Sequence, residues 1–230
     1  MRTLAVDTAT EVCGIGLSVD GRPQLELIIN QGVTHTKVLM EGVRSILALA
    51  QWELSDLNAL AVVRGPGSFT GLRIGISTMK GLARALDKPL VGVSSLEVLA
   101  HQASEGYPLV CPMIDARRKE VYWSLYRRSE DGLEHAHAEQ AGRAAHAADR
   151  VDAPCLFIGN GAMLYASLIR ERRQDAAFMA EAALNAIRPG LVATLASNRI
   201  AEGFREEIDQ FGPVYLRKSD AELGRQADSP

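Results

Sequence analysis

The sequence predicts an α/β fold of two tandem subdomains, each a mixed sheet flanked by helices, and three observations carry that reading. Short apolar runs suited to strands alternate with segments of helical periodicity along most of the chain. The opening pattern of strand, turn and strand, at Thr3 to Val6 and Cys13 to Val19, returns at Leu109 to Ile114 and Glu120 to Tyr126. A chain of 230 residues is also long for one compact core and comfortable for two smaller ones.

Thr3 to Val6 delivers Asp7 and Thr8 to a turn. Cys13 to Val19 follows, and Asp20-Gly21 turns the chain into Leu25 to Ile29, a three-stranded antiparallel start. His35 to Gln51 reads as a helix with two apolar lines, Leu39, Ile46 and Leu49 on one and Met40, Val43, Leu47 and Ala50 on the next. Leu57 to Val63 reads as a strand. The helix from Thr70 to Leu86 then carries Leu72, Ile76, Met79, Ala83 and Leu86 on one line. Its second line is mostly small: Gly71, Gly75, Thr78, Leu82 and Ala85. Small residues let another helix come close. One apolar face is enough to pack a helix on its sheet, so two helices with excess lines predict a partner surface. Its candidate residues are Leu39, Met40, Val43, Leu47, Gly71, Ile74, Gly75, Thr78 and Leu82. The plainer alternative is helices sandwiched within their own subdomain.

Lys88 to Val93 is another strand, and Ser94-Ser95 with Glu97 caps the helix running toward Gln102. The subdomain boundary is expected here, giving units 1–100 and 101–217. In the second unit, Asp115-Ala116-Arg117-Arg118-Lys119 joins the two repeated strands. Ser129 to Asp152 has few large apolar residues and reads as a surface excursion. Its His135, His137 and His146 lack an acid or cysteine at a ligand spacing, so they read as solvated, not as metal ligands. Cys155 to Ile158 is a strand ending in Gly159-Asn160-Gly161, with a helix through Ile169. Arg170, Arg172 and Arg173, with Arg127 and Arg128, form either a basic patch or a solvated helix end. Pro189 starts a last helix through Ala201, Val214 to Leu216 reads as a closing strand, and residues 218–230 read as a disordered tail.

Composition excludes several classes. With 47% hydrophobic and 23% charged residues the chain is an ordinary globular protein. A net charge of −3 argues against a chain that coats nucleic acid alone. Three cysteines far apart suggest buried thiols, neither a disulfide framework nor a zinc knuckle. Asp7 interrupts what a signal peptide would need, and no apolar run is long enough to span a membrane, so a cytoplasmic location is expected.

The most distinctive stretch is Arg64 to Gly75, a strand-to-helix turn. Gly65, Gly67 and Gly71 permit close backbone approach, Pro66 fixes one φ angle, and Ser68 or Thr70 caps the following helix, whose positive end suits an anion. It is not a P-loop, because Leu72 and Arg73 follow Gly71 where Lys and Ser or Thr are needed. Thr70 stands where a dinucleotide fingerprint needs glycine, and Pro66 and Thr70 stand where a nucleophile elbow needs two.

Gly65-Pro66-Gly67-Ser68-Phe69-Thr70-Gly71-Leu72-Arg73 is instead similar to the signature of the bacterial TsaB (YeaZ) proteins. Leu4-Ala5-Val6-Asp7-Thr8-Ala9-Thr10, Asp115-Ala116-Arg117 with Glu120-Val121-Tyr122, and the closing Pro213-Val214-Tyr215-Leu216-Arg217 agree with it. The opening unit resembles the actin-like superfamily of Hsp70 and sugar kinases (ASKHA), with RNase H-like subdomains. That resemblance implies a degenerate nucleotide cleft at Asp7, Thr8, Gly65, Pro66, Gly67, Ser68, Asp115, Gly159 and Gly161. Arg117, Arg118 and Lys119 stand where glycines would admit phosphate, so no resident cofactor is expected, and any nucleotide would bind weakly or with a partner's help. No metal is expected.

The resemblance further implies docking through the two helices onto the related subunit TsaD as a heterodimer, or onto a second copy as a homodimer when alone. TsaE would join through the complex, and tRNA would be met only there. The sibling TsaD family carries a His-x-x-x-His metal pair on the helix that begins here at His35; the fourth residue after it is Leu39, and Lys37 replaces a common acid. A nuclease of RNase H type would need more clustered carboxylates than Asp7 and Asp115. The expected role is therefore a non-catalytic scaffold in tRNA threonylcarbamoyladenosine modification. An ATP-dependent phosphotransferase or hydrolase using the cleft is the alternative, and a homodimeric binding module a third.

Overall fold

The computed structural model describes residues 1–32, 34–130 and 132–217. The first lobe opens on an antiparallel meander of β1 (Arg2–Asp7), β2 (Cys13–Val19) and β3 (Arg22–Ile29). It continues through α1 (His35–Ala50), β4 (Ala59–Gly65), α2 (Phe69–Leu86), β5 (Leu90–Ser94) and α3 (Ser95–His101). β4 and β5 run parallel to β1, giving the order β3-β2-β1-β4-β5. The second lobe contains β6 (Leu109–Arg117), β7 (Glu120–Ser129), β8 (Gly132–Gly142), α4 (Ala144–Asp149), β9 (Cys155–Ile158), α5 (Asn160–Leu164), α6 (Ala166–Arg173) and β10 (Ala177–Met179), in the order β10-β9-β6-β7-β8. Both sheets thus follow one plan, three antiparallel strands and then two parallel ones, with the strand that comes first in the chain at the centre. The predicted repeat of strand, turn and strand extends to all five strands.

The last helix, α7 (Pro189–Ala201), follows the second sheet in sequence but packs on the first. The alternation of β2 shows how. Ile15 lies against Gly42 of α1, while Gly16, on the opposite face, leaves no room for a Cβ beside Pro189 and Gly190. Thr3 and Ser18, paired across β1 and β2, place their hydroxyls 2.8 and 3.1 Å from the Ser197 hydroxyl of α7. The first lobe is therefore three layers, α1 and α2 on one face of the sheet and α7 on the other. In the second lobe, Leu109, Cys111 and Met113 of β6 face a core shared with Ala144, Ala147 and Ile169. Val110 and Ile114 of the same strand join the main core with Leu96 and Leu99 of α3. Ser94 caps α3 as predicted, accepting the Leu96 and Glu97 amides at 3.2 and 3.3 Å.

Two expectations are corrected. The stretch read as a surface excursion, Ser129 to Asp152, instead contains β8, which pairs with β7, and α4. As an edge strand β8 needs no run of large apolar residues, and its histidines rest on aromatic rings, His135 at 4.4 Å from Tyr126 and His137 at 6.1 Å from Trp123. Val214 to Leu216 is not a strand, although the Val214 amide donates to the Arg64 carbonyl at 2.8 Å. The expected tail at 218–230 lies outside the described residues.

Candidate functional site

Two concave surfaces meet at the start of α2. The first is a cleft of about 550 Å³ lined by Thr10, Glu11, His35, Ser68 and Phe69 from the first lobe and by Asp115, Arg117, Tyr122 and Asn160 from the second. The second is an open groove between α1 and α2, lined by Thr36, Arg73, Ile74, Ser77 and Thr78. Phe69 and Thr70 border both.

The glycines of the loop are occupied by the chain itself. A Cβ on Gly67 would overlap the Ala9 carbonyl, one on Gly71 the Thr8 carbonyl and one on Gly75 the Thr8 hydroxyl. Spaced four residues apart, these positions form one line that presses the loop and α2 onto the turn after β1. Hydrogen bonds hold the contact: the Thr8 hydroxyl donates to the Gly71 carbonyl at 2.8 Å, and the Ser68 amide donates to the Ala9 carbonyl at 2.7 Å. The Ser68 hydroxyl accepts the Gly71 amide at 3.3 Å and so caps α2. Thr8 and Ala9 fill the Cβ side of these glycines, while Gly67 and Ser68 still border the cleft.

Asp7 lies beneath this turn, fully buried, and does not line the cleft. One carboxyl oxygen accepts the Ala9 amide at 2.8 Å and the other has no partner among the described residues. Burial pushes the carboxyl up to about 7, against the lowering effect of that amide. Cys13 nearby is pushed up to about 11, first by burial and then by the Asp7 charge. Thr8, Gly65 and Pro66 are buried as well, so of the nine predicted cleft residues only Gly67, Ser68 and Asp115 line the cavity. The Gly65–Pro66 bond is cis, and a Cβ on Gly65 would stand 2.6 Å from the Val214 carbonyl oxygen. Gly159 and Gly161 serve packing too: a Cβ on either would crowd the Met113 and Ile114 backbone of β6.

Asp115 accepts the Arg117 amide at 2.9 Å and faces the Arg117 guanidinium at 3.3 Å. Arg117 also reaches across the cleft to Glu11 at 2.6 Å, so the second acid is answered by the chain's own cation. Arg117, Arg118 and Lys119 all hold left-handed φ angles of 61°, 52° and 65°, a conformation that glycine or asparagine adopts more readily. His35 places Nε2 2.9 Å from the Thr10 carbonyl, a contact between α1 and the turn. Leu39, one turn on, is 1% exposed and belongs to the core. Among the described residues no three His, Cys, Asp or Glu side chains converge as a metal site would need.

The predicted helix surface separates into two sets. Leu39, Val43 and Leu47 are buried in the main core, and Gly71 and Gly75 are buried against Thr8, so these five are structural. The two lines read on α1 are one broad face turned to the sheet, because positions three and four apart lie within the arc that an amphipathic helix buries. Met40, Ile74, Thr78 and Leu82 are half-buried and remain available at the surface. Sequence reasoning missed Tyr215, whose ring stacks on Phe69 at 4.7 Å, and Arg217, which pairs with Glu120 of β7 at 3.0 Å. The closing motif that holds both was the available signal.

The family model for TsaD, the tRNA N6-adenosine threonylcarbamoyltransferase, matches residues 30–225. The tRNA threonylcarbamoyladenosine biosynthesis protein TsaB of Escherichia coli (strain K12) is 35% identical over 232 residues, covering 96% of each chain. TsaB of Bacillus subtilis (strain 168) is 33% identical over 225 residues, again with 96% of each chain covered. The solved structure of YeaZ from Pseudomonas aeruginosa aligns with a TM-score of 0.76 at 32% identity, covering 93% of this chain and 100% of that one. Component A of the (R)-2-hydroxyglutaryl-CoA dehydratase of Acidaminococcus fermentans shares the fold alone, with a TM-score of 0.53 at 10% identity over 86% of this chain and 99% of its own. With two mixed sheets in the actin-like, RNase H-like arrangement and 33–35% identity to TsaB proteins over 96% of its length, the chain belongs to the TsaB (YeaZ) family.

Proposed function

We propose that the chain is a non-catalytic subunit of the machinery that places threonylcarbamoyl on the tRNA adenosine next to the anticodon. It binds a TsaD as a heterodimer, helps recruit TsaE through that complex, pairs with itself when alone, and meets tRNA only in the assembly. What supports a non-catalytic role most is the filled glycine loop. Thr8 and Ala9 occupy the line of Gly67, Gly71 and Gly75, and the unpartnered Asp7 oxygen is sealed from the cleft. Leu39 standing in the core, at the position of TsaD's second histidine, agrees with it. The groove flanked by Ile74 and Thr78 supports docking on the helix face, through which this chain would select or order a TsaD conformation that the lone enzyme visits rarely. No described helix is long and apolar enough to cross a membrane, and the cytoplasm, where tRNA is modified, is the proposed compartment.

The test is size-exclusion chromatography with light scattering on this chain and the TsaD of the same organism, alone and mixed. A heterodimer is expected, lost in Thr78→Arg with the monomer's circular dichroism unchanged. Two separate species under every nucleotide condition would remove the physical basis of the scaffold reading. Stoichiometric ATP binding by the isolated chain, abolished in Asp7→Ala, would favour the phosphotransferase or hydrolase instead.

A further inference from the structure

The closing segment from Pro213 to Arg217 makes three separate attachments. At its start the Val214 amide donates to the Arg64 carbonyl, at the end of β4 and directly before the glycine loop. In its middle, Tyr215 stacks on Phe69 with an interplanar angle of 24°, and its hydroxyl accepts Arg73 Nε at 3.1 Å. The Arg73 guanidinium also lies 3.9 Å from the centre of the Phe69 ring. At its end Arg217 crosses to the second lobe and pairs with Glu120. Tyr215 and Arg217 line the cleft, Arg73 lines the groove, and Phe69 lines both. One short segment therefore touches the groove wall through Tyr215 and the opposite lobe through Arg217.

We propose that the segment Pro213 to Arg217 is a tether that makes the α1–α2 groove sensitive to the separation of the two lobes, with Tyr215 and Arg217 as its positioning residues. The inference rests on the reading of that groove as the TsaD docking surface. If the lobes part, the Arg217–Glu120 pair pulls on Tyr215, the Tyr215–Phe69 stack shifts, and Arg73 loses the acceptor that holds it over the ring. A partner that fits the groove with Arg73 in place then favours the closed cleft, and by reciprocity anything that closes the cleft favours the partner. Glu120 lines neither surface, so exchanging it disturbs the connection without altering the groove wall.

The test measures TsaD affinity by titration calorimetry for the full chain, Arg217→Glu, Glu120→Arg and the double exchange, with hydrogen exchange of α2 followed in the free protein. Each single reversal is expected to weaken binding by about tenfold, within the range of ordinary coupling between sites, and the double exchange to restore it. The first turn of α2 should exchange faster in the single variants than in the double. Wild-type affinity in both single variants, or a double variant no better than the singles, would overturn the tether. Glu120→Gln serves if a reversal does not fold, with the same weakening expected. If the wild-type chain binds no TsaD, the docking reading fails; hydrogen exchange then decides the tether separately, and an α2 unchanged by Glu120→Arg would overturn it.

Discussion

Asp7, expected in a nucleotide cleft, and Gly71, expected on a partner surface, are both buried against the turn after β1 and serve the fold. The Asp7 carboxyl is buried with one oxygen unpartnered, and its pKa stands near 7 against an ordinary 3.8. Because the folded-state value is raised, the protein binds this proton more tightly when folded. The stabilisation is complete below about pH 4 and is lost as pH rises toward 7, a swing of about 4 kcal/mol for a shift of roughly three units. Asp7→Asn keeps the acceptor for the Ala9 amide and removes the titration. Denaturant unfolding between pH 4 and 8 should therefore show this component flattened in the variant, which should be the more stable protein at pH 8. Parallel pH profiles for the two proteins would refute the assignment. Gly71→Ala would drive a methyl into the Thr8 carbonyl, and since backbone must move, a loss of about 3 kcal/mol is expected, read as a lower urea midpoint. Gly81, on the same helix, where an added Cβ would meet none of the described residues within 4 Å, should tolerate alanine or gain from it. The glycine spacing was legible in the sequence, but its occupant was not, because only the fold brings Thr8 to residue 71.

α1 and α2 show where helical periodicity informs and where it misleads. Both helices, the cap at Ser94 and most strands stand in the sequence as apolar rhythm and local capping chemistry, which act over a few residues. The edge strand β8 was illegible because it buries little, and the tether because its contacts join residues 142 apart. Excess apolar lines alone could not separate a partner surface from a broad core face. Leu47 is 5% exposed within the main core, so Leu47→Ala should cost about 3 kcal/mol and Leu47→Glu should unfold the monomer, seen as lost thermal cooperativity. Leu82 is half-buried on α2, and Leu82→Glu should leave the far-ultraviolet circular dichroism intact while abolishing association with TsaD. If Leu82→Glu also unfolds the chain, the docking surface shrinks to Met40, Ile74 and Thr78.

At the scale of the molecule, the two lobes repeat one strand order but do not share out the chain evenly. We propose the division near residue 100 with one amendment: α7 belongs to the first lobe. Val192, Ala193, Ala196 and Ile200 are buried in the main core, and Glu26 of β3 accepts the Gly190 amide at 2.8 Å. Arg199 of α7 pairs with Glu97 of α3 at 2.5 Å and donates to the Gly92 carbonyl at 2.8 Å. The following segment continues along the same lobe, where Glu206 accepts Arg64 at 2.6 Å and the Gly92 amide at 2.7 Å. Nothing in the apolar pattern of residues 189–201 says which sheet it will cover, so this return was not readable from sequence. A fragment of residues 1–100 would keep the face under α1 and α2 but leave the β1–β2 face with Thr3, Gly16 and Ser18 open to water and without its partner helix. Small cores have little stability to spare, so that fragment should melt without cooperativity and bind a hydrophobic dye. Adding a peptide of residues 187–217 in trans should restore a cooperative transition, because it supplies both the missing layer and the segment that runs along the lobe. Cooperative melting by residues 1–100 alone would place the folding boundary at residue 100 and make α7 an accessory to a lobe that is already complete.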